Sequence, residues 1–168
     1  MTLMFSLCRA IASANAKATL VSPFVGRIYD WFKTNRPQDK IASPDQDPGV
    51  VSVTTIYNYY KKYGIKTEVM GASFRYKEQI TALSGCDLLT ISPQLLKELR
   101  EAKEDAPKKL TEEMAKKSDL KKLEMDEKLF RWQLNDDPMA NDKLSEGIRL
   151  FDQDTKKLID YIRKTYSV

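Results

Sequence analysis

The sequence predicts an α/β domain in which helices cover a parallel sheet. Over the first hundred residues, short apolar runs alternate with stretches of helical spacing. The runs are continuously apolar, as in strands buried on both faces, which is the mark of a parallel sheet rather than an open antiparallel one. At 168 residues, 42% of them hydrophobic, the chain suits one domain.

The elements follow in order. Residues 1–16 (MTLMFSLCRAIASANA) read as a short strand running into an amphipathic helix with Leu7, Ala10, Ile11 and Ala14 on one face. The Ala-Ser-Ala-Asn-Ala stretch imitates a signal cleavage site, yet Arg9 interrupts the apolar core and no charge precedes it. Ala18–Phe24 is the first full strand, ended by Pro23 and Gly26. Gly49–Gly64 opens as a strand-like run, then spaces Val53, Ile56, Tyr57 and Tyr60 as a helix does, with Ser52 as N-cap and Gly64 as stop. Thr67–Phe74 is the second strand, Glu78–Gly85 a short helix, and Asp87–Ser92 the third strand. Pro93 opens the helix that follows.

Residues 103–136 are a charged helix or mobile loop. Lysines 108, 109, 116, 117, 121 and 122 alternate there with acids, so a solvated surface is expected rather than a basic binding patch. Residues 137–168 form a C-terminal helix, with Asp137 as N-cap and Pro138 at N1. Its stripe of Leu144, Ile148, Phe151, Leu158, Ile159 and Ile162 is expected to pack in the core. Residues 1–168 thus make a single domain, with βα units over 1–102.

Composition removes several chemistries. Histidine is absent, which excludes histidine-based triads, histidine general bases and His-containing zinc sites. Cys8 and Cys86 match no metal motif and build no disulfide framework. A net charge of +4, from 28 basic and 24 acidic residues, is too mild for nucleic acid. No apolar run reaches the ~18 residues of a membrane span. A soluble, reduced, cytoplasmic chain without nucleic-acid or membrane partners is expected.

In parallel α/β folds, ligands gather where strands end. The first strand ends in Ser22-Pro23-Phe24-Val25-Gly26-Arg27 and the second in Gly71-Ala72-Ser73-Phe74-Arg75. Arg27 and Arg75 could clamp a phosphate through charge-assisted, often bidentate, hydrogen bonds, with serine hydroxyls or backbone amides completing the cradle. Equally, the two arginines could be surface residues pairing with Asp30 or Glu78.

SPFVGR at 22–27, DPGVVSV at 47–53, VMGASFR at 69–75, GCDLLTISP at 85–93 and NDDPMANDKLSEGIRLF at 135–151 resemble transaldolase, and the likeness runs in one order along essentially the whole chain. The resemblance implies a (β/α)8 barrel, of which this chain would form about three to four strand–helix units with C-terminal helices. It implies transfer of a three-carbon dihydroxyacetone unit between sugar phosphates in the pentose phosphate pathway, through a lysine Schiff base and without metal or organic cofactor. It places phosphate binding on Arg27, Arg75 and Ser22, and pocket contact on Phe24. Thr2, at the tip of a further strand, would hold the catalytic water.

The resemblance also implies a Schiff-base lysine on a strand that these 168 residues do not include. Such a lysine must be neutral near pH 7, hence desolvated. Lys17 and Lys66 lie just before strands, and Lys77 follows Arg75 in an exposed loop. Half a barrel leaves two sheet edges unpaired. The chain alone is therefore expected to be marginally stable, to form homodimers, or to require a complementing N-terminal half. Sedimentation with thermal unfolding checks this, and a clean monomer with a cooperative transition would contradict it.

Overall fold

The computed structural model describes residues 1–166. In chain order they form α1 (Leu7–Asn15), β1 (Leu20–Val21), α2 (Val25–Asn35), α3 (Pro48–Lys62), β2 (Glu68–Ala72), α4 (Lys77–Ala82) and β3 (Leu88–Thr90). Then come α5 (Pro93–Glu101), α6 (Glu112–Lys117), α7 (Glu127–Asp136) and α8 (Pro138–Tyr166). No helix among the described residues is long and apolar enough to cross a membrane.

The sheet is parallel in the order β1-β2-β3, with Val21 beside Val69 and Gly71 beside Leu89. The α/β class read from the sequence is the class observed. The first residues run along the free edge of β1: Ser22 N–H donates to Met1 O (2.8 Å), Phe24 N–H to Met4 O (3.4 Å), and Met4 bridges Pro23 in parallel. The strands are shorter than the apolar runs that predicted them. Pro23 has no N–H to continue the β1 ladder, so beyond Val21 only isolated bridges remain. β2 stops at Ala72 because Ser73, at φ +62°, turns the chain.

Helices cover one face. Val21 and Val69 meet Val53, Ile56 and Tyr60 of α3 and Leu83 in one buried cluster. The Tyr60 hydroxyl donates to Ala10 O (2.5 Å), which anchors α1 on α3. Ser6 caps α1, accepting from Arg9 N–H at 3.4 Å.

Three expectations need correction. The first concerns α3, which begins at Pro48 rather than after Ser52. Asp47 Oδ1 accepts the N–H of Gly49 (2.8 Å) and Val50 (3.3 Å), so the strand-like GVV run becomes the helix's first turn. The second concerns residues 103–136. The six lysines are exposed, as expected of a solvated face, but the segment carries α6 and α7 and is not solvated throughout. Ala115 of α6 and Leu110 are buried against α3. Past α6 the chain is strapped to α3 as well: Tyr63 OH donates to Leu120 O (2.6 Å), Tyr59 OH accepts from Leu123 N–H (3.1 Å), and Lys62 Nζ donates to Ser118 O.

The third concerns α8. Its start is as expected, since Asp137 Oδ1 accepts from Ala140 N–H at 2.9 Å behind Pro138 at N1. Leu144 packs on the second buried cluster with Leu3, Ile28 and Trp31. Beyond Gly147, however, the stripe is not core. Ile148 is 56% exposed and Leu158 58%, and Phe151, Ile159 and Ile162 are exposed as well. A helix of 29 residues is ~43 Å long at 1.5 Å per residue and outruns the body it starts on.

Asp47 is fully buried, and Tyr76 OH and Gln79 Nε2 donate to its second oxygen. Asp47→Ala is expected to cost about 2–4 kcal/mol, combining a lost cap with two stranded buried donors. Urea unfolding measures it, and a loss below about 1 kcal/mol would show that the carboxylate does not organise this region.

Candidate anion-binding site

Ser22 and Ser73 follow the last residues of two paired parallel strands, so both lie at the same, carboxyl end of the sheet. Ser22 is buried and Phe24 is half-buried, its ring edge-on to Phe5 at 6.1 Å. Thr2 is exposed at the same end, between Met1 and Met4, whose carbonyls pair with Ser22 and Phe24.

Phe24 is the N-cap of α2, and its side chain caps nothing. The need of a helix N-terminus for acceptors is met from across the sheet instead, because Gly26 N–H donates to Ser73 O at 2.8 Å. That bond locks the start of α2 to the loop after β2. Nothing but glycine fits there: a Cβ on Gly26 would lie 2.2 Å from Ser73 O and 2.9 Å from Arg75 Cγ.

The Arg75 side chain runs over that bare turn, with Cζ 3.2 Å from the position such a Cβ would take. It then reaches Asp30, one turn further along the same face of α2. Nε and Nη2 of Arg75 donate to Asp30 Oδ2 at 3.0 and 2.7 Å. Of the two acidic partners weighed from sequence, Asp30 holds Arg75, whereas Glu78 lies 3.8 Å from Lys77 Nζ. The pair is about two-fifths exposed on both sides, so it orients the guanidinium more than it stabilises the fold. Arg27 has no carboxylate within ion-pair distance among the described residues. Its guanidinium carbon sits 5.1 Å from the Phe24 ring centre and 5.7 Å from that of Phe151 on α8.

Arg27 therefore stands in the first turn of α2 against Phe24, and the Arg75 side chain crosses that turn at Gly26 before it pairs with Asp30. Guanidiniums, a helix N-terminus and small hydroxyl residues make a set suited to an oxyanion.

Sequence reading missed the residues beneath this end. Gln79 is fully buried; its Oε1 accepts Arg75 N–H at 2.8 Å and its Nε2 donates to Asp47 Oδ2 at 2.8 Å. Tyr76 OH donates to the same oxygen at 2.6 Å. The Asp47-Pro48 pair carries the same cap signature that located Asp137-Pro138, so Asp47 was findable. Nothing in the sequence marks Gln79 as a buried polar bridge.

The lysines stand elsewhere. Lys17, at φ +61°, and Lys66 are exposed before β1 and β2, at the opposite end of the sheet. Lys77 Nζ donates to Glu104 Oε2 at 2.8 Å, and that bond holds its ammonium above the usual lysine range. An apolar hollow of about 480 Å³ between α1, α7 and α8 is lined by Met1, Arg9, Ser13, Phe130 and Ile148 but by neither Arg27 nor Arg75.

Residues 1–162 match the family described as transaldolase/fructose-6-phosphate aldolase. The chain is 54% identical over 168 residues to a transaldolase of Protochlamydia amoebophila, covering all of this chain and 52% of that protein. It is 57% identical over 166 residues to a probable transaldolase of Drosophila melanogaster, covering 99% and 50%. With a transaldolase of Chlamydia pneumoniae it shares 56% over 157 residues, covering 94% and 48%. The chain spans about half the length of the curated relatives it matches.

Burial, and then the hydrogen bond to Asp47, push the Tyr76 phenol up; burial does the same to Tyr60. In the unfolded chain both ionise near pH ~10. A folded value raised above the unfolded one gives stability that is complete below pH ~10 and falls as pH rises beyond it. Absorbance titration of phenolate is expected to show these two groups ionising only together with alkaline unfolding. Free titration of all eight tyrosines in the folded chain would contradict it.

Proposed function

The chain belongs to the transaldolase/fructose-6-phosphate aldolase family, and from that premise we propose that it supplies the phosphate-holding face of a transaldolase-type active site. The reaction is transfer of a dihydroxyacetone unit from sedoheptulose 7-phosphate to glyceraldehyde 3-phosphate, giving erythrose 4-phosphate and fructose 6-phosphate. It belongs to the pentose phosphate pathway, in the cytoplasm, and needs no metal or organic cofactor. The observation that carries the reading is the bond from Gly26 N–H to Ser73 O, which draws the two arginine-bearing strand ends to one turn of α2.

Within this site Arg27 and Arg75 take the phosphate of the sugar. Their charge-assisted bonds fix one end of the substrate and leave its reacting carbons free to be placed by the rest of the pocket. Ser22 adds a hydroxyl to the cradle, Phe24 walls the sugar chain and Thr2 holds the catalytic water. In a transaldolase the covalent step belongs to a lysine that condenses with the donor ketose, losing water. The protonated imine then accepts the electron pair of the broken carbon–carbon bond.

On the scale of the fold, the successive parallel segments from Met1 to Thr90 belong to a (β/α)8 barrel, of which they make about three to four units. The free sheet edges and the exposed face of α8 would be covered by an N-terminal half or by a second copy.

A second reading keeps the binding and leaves out the turnover. The lysine nearest the arginines in sequence is ion-paired and held protonated, unlike an amine that must attack a carbonyl. On this reading the 168 residues bind sugar phosphate without turning it over.

Titration calorimetry with fructose 6-phosphate is expected to show binding that Arg27→Ala and Arg75→Ala each weaken by about tenfold or more. Unchanged affinity in both variants would overturn the phosphate reading. Borohydride trapping with the same sugar, controlled by glucose 6-phosphate, decides between the two readings. A stoichiometric adduct at one lysine supports turnover by this chain, and no specific adduct leaves binding alone.

A further inference from the structure

We propose that Gln79 is a positioning residue for the anion site, acting through the Arg75 backbone; the proposal rests on the reading of Arg75 as a phosphate ligand. Gln79 is completely buried in the first turn of α4. An apolar side chain of similar size would fill that space without the desolvation penalty of an amide, so an amide bonded at both ends points to a use of both.

Those ends do different things. The Nε2 donor is fixed on Asp47 Oδ2 (2.8 Å), and Asp47 is itself immobilised by the Gly49 and Val50 N–H groups and by Tyr76 OH. The Oε1 acceptor holds the N–H of Arg75 at 2.8 Å. Arg75 lies three residues past the end of β2, beyond a residue at φ +62°, where no strand ladder supports the chain. Gln79 thus ties the Arg75 backbone to the buried N-terminus of α3, beside the separate bond that Tyr76 OH makes to the same carboxylate.

The backbone position of Arg75 matters because its side chain runs close over a bare turn. Cγ and Cζ pass directly over Gly26 before the guanidinium meets Asp30. A small displacement at the Arg75 backbone is carried along the side chain and takes the guanidinium off the first turn of α2. The hydrogen bond to Oε1 therefore sets where the charge is presented, although Gln79 itself touches no ligand.

The two ends can be separated by substitution. Gln79→Glu keeps an oxygen facing Arg75 N–H but sets a second carboxyl against Asp47, whereas Gln79→Met fills the volume and offers neither bond. Tyr60→Phe, which removes the distant bond to Ala10 O, serves as a stability control. Calorimetry with fructose 6-phosphate and with inorganic phosphate on the full chain, alongside thermal melting, gives the readout. Gln79→Met is expected to weaken both ligands by about tenfold, and Gln79→Glu, which keeps the acceptor for Arg75 N–H but loses the anchor on Asp47, to weaken them less while its Tm falls. Tyr60→Phe is expected to lower Tm without changing affinity.

The proposal is overturned if Gln79→Met binds as the unsubstituted chain does. It is equally overturned if the Met and Glu variants weaken alike, or if Tyr60→Phe weakens binding as much. Should the Glu variant not fold, amide exchange decides: Arg75 N–H is expected to be protected in the unsubstituted chain and to exchange fast in Gln79→Met, and equal rates overturn the proposal. Failure of the underlying reading looks different. Then the unsubstituted chain binds neither ligand, or Arg75→Ala binds both as well as it does, and the positioning role falls with it.

Discussion

A single carboxylate, that of Asp47, organises the arginine-bearing end of the sheet in this molecule. It is completely buried yet takes four hydrogen bonds, from Gly49 N–H, Val50 N–H, Tyr76 OH and Gln79 Nε2. Four donors offset much of what burying a charge costs, and the positive end of the α3 dipole adds to that. Because the donors belong to α3, to the loop after β2 and to α4, one side chain fixes three segments at a point. The cost of leaving any of these groups unpaired in a dry interior keeps the arrangement singular.

The second constraint is closeness of approach. Gly49 would clash with Val25 O at 2.2 Å if it carried a Cβ, and Gly26 would clash with Ser73 O at the same distance. The N-terminus of α3 thus presses on α2, and the N-terminus of α2 presses on the loop after β2. Backbones stacked this tightly transmit position without flexible side chains in between. The charged groups of the site inherit that rigidity: Arg75 lies on a bare glycine turn, and Arg27 rests against Phe24.

Much of this was legible in the residues and some of it was not. The parallel α/β class and the order of the three strands could be read, because continuous apolar runs and the turn residues after them are local signals. The start of α3 was misplaced by five residues: β-branched Val50 and Val51 look like a strand until the Asp47-Pro48 cap is weighed against them. The packing of residues 110–123 depends on tyrosines some sixty residues earlier, so no local pattern could show it. The apolar periodicity of α8 was read correctly as helical, but period alone does not say what a face meets. Here the face past Gly147 is exposed rather than packed on this chain's core. The assignment of the chain to its family rests on whole strings of residues and on a match over residues 1–162, a different kind of information from periodicity.

The strap along α3 has a consequence for the order in which the chain acquires its structure. Tyr59 reaches Leu123 across 64 residues, Tyr63 reaches Leu120 across 57, and Lys62 reaches Ser118 across 56. The acceptors mean nothing until α3 exists, since only a formed helix brings residues 59, 62 and 63 to one side. Closing loops of that length costs chain entropy that a few hydrogen bonds repay only when the platform is already in place. The strap is therefore expected to close late in folding and to open early in unfolding, as a latch on a helix already formed.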